Sequence, residues 1–521
     1  MRLGLILDNG KTTAWQETAL KKITGHEIAV IYNCTNSMTK KRPIKHFLYY
    51  VLNILFIKNE LTKKQSSSFV DADGINTINF ESEYNGNWQV LPADIIESIN
   101  SEKLDAVIKF GMGLLTVPDK EVMATPIISY HHGDPDQFRG RPAGFYEILK
   151  RADHIGVIIQ QLTNALDAGP ILAYSESKIH RHSYKKTIMG AYAISPDMLG
   201  KALRNLELGQ PINKKSDGDN YRLPGNLTAL WFIIKLATNI IKRLFYGAFM
   251  EKRWQVSVTD KITLSQNDLR LDIDSGNSLK IDRPYTFYAD PFWLDGDTIL
   301  VEALCKSTGK GALLQIDSDN TIKLTSGEQH FSYPQAISHE GKTYLLPEVC
   351  SWRAPALFLL EEGKLSSPQP LSGLEDERVI DPTYCMHEGV HYIFGGRKNH
   401  DQNILYLWHS TDFFGPYHEH PDSPISCTPN GSRMAGNLVG VDGNLLRFGQ
   451  NSADDYGNGI TVFKIKQLTP ESYIEEFSMK IDLNKAKGPH TLNFNENSML
   501  YDWYKERFSF LAGWRRFRSR L

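Results

Sequence analysis

The stretch SYHHGDPDQFRGRPAG, residues 129–144, holds side chains that can move a proton and stabilise a charge. His131 is a candidate general base, and Asp167, in the later motif LDAG, is a candidate carboxylate to orient that histidine and stabilise its protonated form. Ser129, two residues before His131, has a hydroxyl that can donate a hydrogen bond. The histidine and the carboxylate are the residue types that acid–base chemistry in a group transfer needs.

The elements around this stretch would place it at the end of a strand. The segment LDAVIKFGMGLLTVP is typical of an apolar strand followed by a turn, and TPIISYHH of a strand that ends in two histidines. Over about the first 200 residues, strand-like and helix-like patterns alternate, which predicts an α/β sheet with parallel strands. Because α/β proteins place ligands in loops after such strands, we expect residues 129–144 to form an active-site loop.

These motifs resemble the formyltransferase family, which includes methionyl-tRNA formyltransferase, glycinamide ribonucleotide formyltransferase and the sugar N-formyltransferases. The resemblance covers about residues 1–210. The family pattern of Asn-x-His, Arg-Gly and Leu-Asp-x-Gly falls on residues 129–131, 139–140 and 166–169. One position departs from it, because Ser129 stands where the family has an asparagine that helps hold the formyl oxygen. The resemblance implies a Rossmann-like α/β fold and formyl transfer from 10-formyltetrahydrofolate to an amine.

The same resemblance assigns the residues of the site. The catalytic residues would be His131, Asp167 and Ser129. The residues expected to line the pterin pocket of the donor are Phe110, Gly111, Gly113, Leu114 and Leu115. The substrate-binding candidates of the loop are His132, Arg139 and Arg141. The two arginines would clamp an anionic group, although loop salt bridges explain them equally well.

After about residue 260 the pattern changes to short strand pairs joined by turns. A unit of strand, polar turn ending in glycine and second strand recurs, with a weaker fifth copy at residues 488–504. The turn glycines of the stronger copies are Gly296, Gly341, Gly389 and Gly443. Their spacing is typical of propeller blades with four strands each. The sequence therefore predicts an all-β five-bladed propeller, with the strand at residues 253–258 closing the ring.

This region resembles the propellers of the β-xylosidase and arabinanase clan of glycoside hydrolases and, more closely, the N-terminal domain of plant glucosamine inositolphosphorylceramide transferases. The resemblance covers about residues 255–505 and rests on YADPFW, HFSYPQAI, TYLLPE, FFGPYHEHP and RMAGNL. Strand-start residues of successive blades would converge on a central funnel. The substrate-binding residues predicted there are Asp290, Tyr333, Glu348, Asp381 and Arg433.

Further funnel candidates are His490 and, for stacking on sugar rings, Tyr288, Trp293, Tyr344 and Trp352. The hydrolase pattern requires an acidic residue in each of the first three blades, whereas the second blade offers Tyr333. Glycan binding, glycosidic acid–base chemistry and a purely structural role therefore all stay open.

The predicted domains are a formyltransferase-like domain at 1–215, an amphipathic helical linker at 216–252, the propeller at 253–505 and a basic tail at 506–521. The apolar stretch of the linker is interrupted by cations, so no transmembrane helix is expected. It suits a helix at a membrane surface or a helix packed between two domains. The basic, aromatic end WRRFRSRL favours contact with anionic lipid.

Composition narrows the class of protein. A formal net charge of −2 argues against nucleic acid as a partner. Five widely spaced cysteines without a CxxC pair favour reduced thiols and a cytoplasmic location, and argue against a disulfide framework and a cysteine zinc site. We expect no bound metal, and the sequence leaves the oligomeric state open.

The leading hypothesis is a folate-dependent formyltransferase that acts on an amino sugar or glycan precursor in polysaccharide biosynthesis. The propeller would recognise the carbohydrate, and the linker helix would hold the protein at the inner face of a membrane. One alternative is a glycan-binding or glycosidase-like propeller whose N-terminal domain is altered or inactive. Another makes both modules binding domains of a glycan-assembly complex. Ser129 favours these alternatives, whereas His131 with Asp167 favours the enzyme.

Overall fold

The computed structural model divides into two compact units, unit 1 at Met1–Ile241 and unit 2 at Lys242–Leu521. The described residues are 1–36, 44–70, 72–262, 264, 268–272, 276–318, 320–398 and 403–518. Residues 519–521 of the predicted basic tail lie outside them. The division falls inside the helix Asn226–Phe249, within the stretch predicted as a linker. The finer domain bounds stay predictions.

Unit 1 alternates strands and helices. Its strands are β1 (Arg2–Asp8), β2 (Lys11–Thr13), β3 (Glu27–Cys34), β4 (Lys64–Ser66), β5 (Asn76–Phe80), β6 (Glu83–Asn85), β7 (Trp88–Val90), β8 (Ala106–Lys109), β9 (Leu114–Leu115), β10 (Ile127–His132), β11 (Phe138–Gly140), β12 (His154–Gln161), β13 (Ile171–Lys178) and β14 (Asp219–Tyr221). Its helices are α1 (Ala14–Lys22), α2 (Phe47–Leu52), α3 (Ala93–Ser101), α4 (Phe145–Lys150), α5 (Tyr184–Ile194), α6 (Leu199–Glu207) and α7 (Asn226–Phe249), the last of which continues into unit 2.

Seven strands of the nine-stranded main sheet of unit 1 lie in the order β5-β3-β1-β8-β10-β12-β13, and β2 and β4 branch from β1. The first five of the seven are parallel to one another, and β12 is antiparallel to both of its neighbours, β10 and β13. The chain runs from β1 to β3 and β5 and then returns to β8 on the other side of β1. This reversal is the switch point of a Rossmann-like fold, where ligands bind outside the carboxyl ends of the strands. The predicted α/β fold is confirmed.

Continuous apolar runs on the central strands explain why this sheet is buried on both faces. Leu3, Leu5, Val30, Val107 and Ile158 are fully buried, and their strands show buried residues at successive positions rather than at alternate ones. Such runs are typical of parallel sheets covered on both sides. Polar residues on these strands are therefore concentrated at the carboxyl ends.

Unit 2 consists of sheets of mainly antiparallel strands. Its strands are β15 (Met250–Asp260), β16 (Leu269–Asp272), β17 (Asn277–Ser278), β18 (Tyr285–Asp295), β19 (Thr298–Cys305), β20 (Gly311–Ile316), β21 (Thr321–Lys323), β22 (Ser332–His339), β23 (Lys342–Glu348), β24 (Ala356–Glu361), β25 (Lys364–Leu365), β26 (Gln369–Pro370), β27 (Val379–His387), β28 (Val390–Arg397), β29 (Ile404–Ser410), β30 (His418–Glu419), β31 (Ser426–Cys427), β32 (Asn430–Met434), β33 (Val439–Val441), β34 (Asn444–Asn451), β35 (Ile460–Leu468), β36 (Tyr473–Asn484), β37 (Leu492–Phe494) and β38 (Ser498–Phe508). One helix, α8 (Ala512–Arg518), follows them. No helix among the described residues combines the length and the apolar character needed to cross a membrane.

The strands of unit 2 group into sheets that follow the chain. β18–β21, β22–β26 and β27–β31 form the first three sheets, β32–β36 with β16 the fourth, and β37, β38, β15 and β17 the fifth. β15, which contains the predicted closing strand, pairs with β38 from Met250↔Phe508 to Asp260↔Ser498. Within the described residues no sheet closes into a barrel, and strand pairing alone does not establish the predicted five-bladed propeller.

The predicted turn glycines lie where the first two strands of each of the first three sheets meet, and in the corresponding hairpin of the fourth. Gly296, Gly341, Gly389 and Gly443 all have positive φ. At three of these turns the preceding residue, Glu340, Glu388 or Asp442, also has positive φ. Two consecutive left-handed residues define the turn that matches the twist of a two-residue hairpin.

Candidate functional site

The carboxyl edge of the unit 1 sheet brings together a row of polar side chains. Lys109 lies opposite Ser129 in the pairing of β8 with β10, and Ser129 lies opposite Gln160 in the pairing of β10 with β12. His131 follows Ser129 by two residues on the same strand. Because opposite residues and alternate residues share a face of a sheet, these four side chains lie on one face. We call Lys109, Ser129, His131 and Gln160 the polar row.

His131 and Asp167 form the predicted pair. The Nδ1 atom of His131 lies 3.4 Å from Oδ1 of Asp167, and Nε2 lies 3.4 Å from the carbonyl oxygen of Phe138. The backbone N–H of Gly140 donates to the other carboxylate oxygen of Asp167, at 2.9 Å. Asp167 has a φ of 48°. The Arg-Gly and Leu-Asp-x-Gly motifs therefore meet at this histidine, which is 9% exposed.

Gln160 positions Asp167 and was not recognised in the sequence. Its buried side-chain amide donates to Oδ1 of Asp167 at 3.3 Å, and its carbonyl oxygen accepts from the backbone N–H of Gly169 at 3.1 Å. Gln160 thus connects both ends of the Asp167 turn to the sheet. Its only sequence signal was a polar pair at the end of an apolar strand.

Ser129 and Lys109 occupy the middle of the polar row. The Ser129 hydroxyl has long contacts of 3.5 Å to the carbonyl oxygens of Lys109 and Tyr130. Burial lowers the pKa of Lys109 to about 8, although the charges of Asp8 and Asp167 act in the opposite direction. Among the described residues, the Lys109 ammonium has no hydrogen-bond or ion-pair partner. A cation that sequence analysis missed therefore lies in the row with the predicted catalytic residues.

The residues predicted to line the donor pocket follow β8 directly. A side chain at Gly111 would place its Cβ 2.5 Å from the carbonyl carbon of Leu7, so only glycine fits there. The backbone N–H of Gly113 donates to the Gln89 side chain at 2.5 Å. The remaining members differ in exposure: Phe110 is partly buried, Leu114 is 38% exposed and Leu115 is buried.

The other predicted residues of the loop lie away from the His131–Asp167 pair. His132 points to the opposite face of β10, where its Nε2 lies 2.9 Å from the Ser195 hydroxyl. Burial lowers the pKa of His132 to about 3, with a smaller contribution from His131. Arg139 donates from Nε to the carbonyl oxygen of Gly218 at 2.7 Å, and Arg141 is exposed. These contacts anchor the loop, and the roles of the three side chains in substrate binding stay predictions.

In unit 2, four of the predicted funnel residues lie together. Arg433, Asp381 and Glu348 contact one another, and Tyr333 contacts Thr383, whose hydroxyl donates to the backbone carbonyl oxygen of Asp381. The Arg433 guanidinium donates to both carboxylate oxygens of Asp381, and one of its nitrogens lies 3.9 Å from Glu348. Glu348 in turn accepts from the backbone N–H of Asp381 at 3.0 Å. Tyr333 is fully buried and reaches Thr383, two residues after Asp381, at 3.1 Å.

Asp290, the fifth predicted residue, belongs to a second cluster around His490. Nδ1 of His490 lies 3.2 Å from Asp290 and 3.3 Å from Asp502. Asp502 also accepts the backbone N–H groups of Asp290 and Thr491, at 3.0 and 2.7 Å. Both distances are longer than is usual for a charge-assisted hydrogen bond, and one ligand atom from each of the three side chains could also hold a cation.

Burial together with neighbouring charges and hydrogen bonds shifts the pKa values of these carboxyl groups in opposite directions. Burial, followed by the charges of Asp290 and Glu348, raises the pKa of Glu302 well above its usual value. Burial and the Asp381 charge raise the pKa of Glu348 to about 8. For Asp290, burial is outweighed by the contacts with His490 and Thr491, and its pKa is lowered. Protonated and ionised carboxyl groups therefore lie side by side.

Tyr456 is the exposed aromatic residue over this buried network. Its ring centroid lies 4.7 Å from that of His490 and 5.2 Å from the Arg433 guanidinium carbon, and the side chain is 36% exposed. Among the aromatics predicted to stack on sugars, Tyr288 and Tyr344 are buried. Tyr456 was missed because it lies in the loop SADDYGNG, outside the repeated strand pattern.

Residues 279–500 match the family described as "Glucosamine inositolphosphorylceramide transferase 1, N-terminal". Curated relatives of that name include a rice protein (Oryza sativa subsp. japonica), 30% identical over 221 residues, and an Arabidopsis thaliana protein, 29% identical over 239 residues. These alignments cover 39% and 40% of this chain and 29% of each plant protein. The chain therefore spans less than a third of the length of these relatives.

A third relative is the methionyl-tRNA formyltransferase of Wolbachia pipientis subsp. Culex pipiens, 31% identical over 137 residues, or 25% of this chain and 45% of that protein. Solved structures with similarity include glycinamide ribonucleotide transformylase 1 from Symbiobacterium toebii, with 14% identity and a TM-score of 0.26. That match covers 43% of this chain and 94% of the other. A sugar N-formyltransferase from a Shewanella species matches with 14% identity and a TM-score of 0.26, over 45% of this chain and 88% of the other.

Proposed function

We propose that unit 1 transfers a formyl group from 10-formyltetrahydrofolate to the amine of an amino sugar. The observation that carries this proposal is the His131–Asp167 pair at the carboxyl edge of a Rossmann-like sheet, with Ser129 and Lys109 in the same polar row. The similarity to a methionyl-tRNA formyltransferase supports the reaction class. The word glucosamine in the names of the plant relatives supports an amino sugar as acceptor.

Each residue of the row has a defined task in this reaction. The acceptor nitrogen bonds to the formyl carbon, the bond from that carbon to the donor nitrogen breaks, and one amine proton moves through His131 to the departing nitrogen. Asp167 orients the imidazole and stabilises its protonated form. Lys109 and the Ser129 hydroxyl stabilise the formyl oxygen as it gains negative charge. Lys109 thus supplies a donor where the resembled family has an asparagine at position 129.

The residues after β8 offer one exposed apolar side chain for a folate donor. Leu114 is 38% exposed and would contact a flat heteroaromatic ring. The Phe110 ring instead packs on Trp15 and Tyr130, on the face of the sheet opposite the polar row. Of the residues predicted to hold the donor, Leu114, Leu115, Gly111 and Gly113 therefore stay candidates. The donor supplies an activated formyl group bound to nitrogen.

Unit 2 is proposed to bind carbohydrate as a five-bladed propeller. Successive sheets contact their neighbours: Phe292 packs edge-on against Tyr333, Arg433 binds Asp381, and Asp502 binds the backbone of Asp290. A ring of five sheets accounts for these contacts and for the pairing of β15 with β38. Tyr456 over the buried charges would stack on a sugar ring.

A second candidate function is glycosidic acid–base chemistry in unit 2. The raised pKa of Glu348, caused by burial and Asp381, and the lowered pKa of Asp290 favour it, because a glycosidase needs one protonated and one ionised carboxyl group. A variant pair separates the two functions. Asp167→Asn should abolish formyl transfer alone, and Asp290→Asn should abolish glycosidic turnover alone.

The test of the leading function is calorimetric titration with 5-formyltetrahydrofolate, a stable analogue of the donor. Wild type and an Asp119→Asn control, which changes an exposed aspartate of unit 1, should bind the analogue. Mixing 10-formyltetrahydrofolate with D-glucosamine or nucleotide-linked amino sugars should then release tetrahydrofolate, and Asp167→Asn should prevent this. Absence of binding in the wild type would overturn the folate donor. Binding without transfer to any amino sugar would overturn the acceptor class.

A further inference from the structure

The loops at one end of the second and third sheets of unit 2 carry three cations. Arg353 follows β23, Arg378 precedes β27 and Lys398 follows β28. The backbone N–H of Lys398 donates to the carbonyl oxygen of Arg378 at 2.9 Å. The Lys398 ammonium donates to the carbonyl oxygen of Cys350 at 3.4 Å, in the same loop as Arg353. The three side chains therefore belong to neighbouring loops, at the end of β23 that holds Glu348.

These three cations lack carboxylate partners. Arg353 and Arg378 donate to backbone carbonyl oxygens, at 3.3 and 3.0 Å. In the part of the chain that the structure describes, no ion pair involves Arg353, Arg378 or Lys398. The carboxylate of Glu377, next to Arg378 in the chain, binds Arg397 instead, at 2.9 Å. Positive charge therefore accumulates in these loops.

The two arginines repel one another. Burial and the charge of Arg378 lower the pKa of Arg353, which is the direction that a neighbouring cation produces. Both side chains are partly buried, so solvent and salt screen their charges less than those of fully exposed groups. An anion bound between Arg353 and Arg378 would replace this repulsion by attraction.

The buried acids next to these loops do not offset the charge. The Asp381 carboxylate accepts from Arg433 at 3.2 Å and is thereby paired. Burial, followed by the charge of Asp381, raises the pKa of Glu348 to about 8. Glu348 is therefore mostly protonated near neutral pH and adds little negative charge beside Arg353.

A neutral hydrogen-bond donor and an aromatic ring lie beside the cations. The backbone N–H of Gly311 donates to Nδ1 of His330 at 2.9 Å, and burial lowers the pKa of this histidine. Its ring is therefore neutral with the proton on Nε2, which has no hydrogen-bond partner among the described residues. The Trp352 indole donates to the carbonyl oxygen of His330 at 2.9 Å, and its ring centroid lies 5.5 Å from the Arg353 guanidinium carbon. We call His330, Trp352, Arg353, Arg378 and Lys398 the cationic rim.

We propose that the cationic rim binds the phosphate group of a phosphorylated sugar. A phosphate monoester carries about 1.5 to 2 negative charges and three acceptor oxygens, whereas a carboxylate carries one charge and two oxygens. Three cations and a histidine N–H therefore suit a phosphate better than a carboxylate. Trp352, partly buried beside Arg353, would contact the sugar ring. This inference rests on the proposed carbohydrate binding of unit 2 and names the class of carbohydrate.

The test is calorimetric titration of the full chain with N-acetylglucosamine 1-phosphate and with N-acetylglucosamine. The amine of both sugars is blocked, so neither is a formyl acceptor for unit 1. Wild type should bind the phosphorylated sugar at least about tenfold more tightly, and salt should weaken this binding. Replacing Arg353 or Arg378 by glutamine should weaken it about tenfold and leave binding of N-acetylglucosamine unchanged. The control Lys342→Gln, at the exposed opposite end of β23, should bind both sugars like wild type.

Other outcomes separate this inference from carbohydrate binding by unit 2. Equal, measurable affinities for the two sugars would overturn the rim and keep carbohydrate binding. So would an Arg353→Gln variant that binds the phosphorylated sugar like wild type. Binding of inorganic phosphate as tight as that of the phosphorylated sugar, without binding of N-acetylglucosamine, would keep the rim as a phosphate site and overturn carbohydrate binding. Glucuronate bound as tightly as the phosphorylated sugar would overturn the phosphate, and no binding of any probe would overturn both proposals.

Discussion

His131 of unit 1 and His490 of unit 2 both contact carboxylates, but in different surroundings. His131 faces one carboxylate at 3.4 Å, and the side chain of that residue, Asp167, is 15% exposed. His490 lies between Asp290 and Asp502, at 3.2 and 3.3 Å, and the Asp502 side chain is fully buried. The first histidine is paired at the edge of a sheet, whereas the second is enclosed.

The difference separates the pair for which we predict proton transfer from a buried cluster that joins strand ends. Asp167 accepts one backbone N–H, that of Gly140, so this carboxylate constrains few backbone groups. Asp502 accepts the backbone N–H groups of Asp290, His490 and Thr491 and so joins two strand ends. A histidine next to a carboxylate thus indicates chemistry only when its surroundings leave room for a reacting group.

The largest expected effect is on formyl transfer in Asp167→Asn. The asparagine keeps an oxygen for the Gly140 N–H but cannot stabilise protonated His131, so the rate should fall on the order of 1,000- to 10,000-fold. Stability should change by less than about 1 kcal/mol. Steady-state kinetics and urea denaturation measure the two quantities. A large loss of stability would instead mean that Asp167 has a structural role, like the one expected of Asp502.

The reverse pattern is expected for Asp502→Asn. Removing this charge leaves protonated His490 with one carboxylate in a buried site, which should lower the free energy of unfolding of unit 2 by about 3 kcal/mol. Binding of 5-formyltetrahydrofolate should not change. Asp442→Asn, at an exposed turn, serves as the control and should unfold like wild type. An Asp502→Asn protein as stable as this control would refute the structural role.

Lys109→Met tests whether the polar row contains a functional cation. Loss of the ammonium should slow transfer on the order of 100-fold. Because burial lowers the pKa of Lys109 to about 8, the wild-type rate should fall as pH rises through that value, and the variant should lack this step. Between pH 8 and the ordinary value of 10.5, the unfolded chain binds the extra proton, so wild-type stability should rise with pH. Ser129→Asn should restore part of the rate in the Lys109→Met background.

Glu348→Gln addresses the buried acids of unit 2. Burial and Asp381 raise the pKa of Glu348 from 4.5 to about 8, so the folded state binds more protons than the unfolded state in this window. The stability of unit 2 should therefore decrease as pH rises from 4.5 to 8, by up to about 5 kcal/mol. The glutamine variant should show a flatter profile in urea denaturation at several pH values. An unchanged profile would mean that Glu348 ionises normally.

The smallest effect is expected for Tyr456→Ala, which removes the exposed ring above His490 and Arg433. Affinity of unit 2 for glucosamine oligomers should fall about fivefold to tenfold, with little change in stability. Calorimetry with the oligomer measures the loss, and Tyr456→Phe should bind almost as wild type. Equal affinity of the alanine variant would remove Tyr456 from the carbohydrate site.

Local signals were sufficient for much of the fold. Alternating strands and helices predicted the α/β sheet, and paired strands around glycine turns predicted the antiparallel sheets of unit 2, because hydrophobic period and turn chemistry act over a few residues. The His131 and Asp167 motifs were also visible as short patterns. Tyr456 was not, because an aromatic residue in a polar loop has no periodic pattern around it.

The sequence by itself determined which residue types end each strand and where the chain must turn. Only the tertiary structure decided which strand ends meet. Strand pairing placed Lys109 beside Ser129, although the two are 20 residues apart in sequence. The fold also brought the side-chain amide of Gln160, which follows an apolar run, to the carboxylate of Asp167. It also enclosed Glu302 and Asp502 with Asp290. Burial and proximity of charges depend on these long-range contacts, and they determine how exposed each histidine is and which carboxylates it faces.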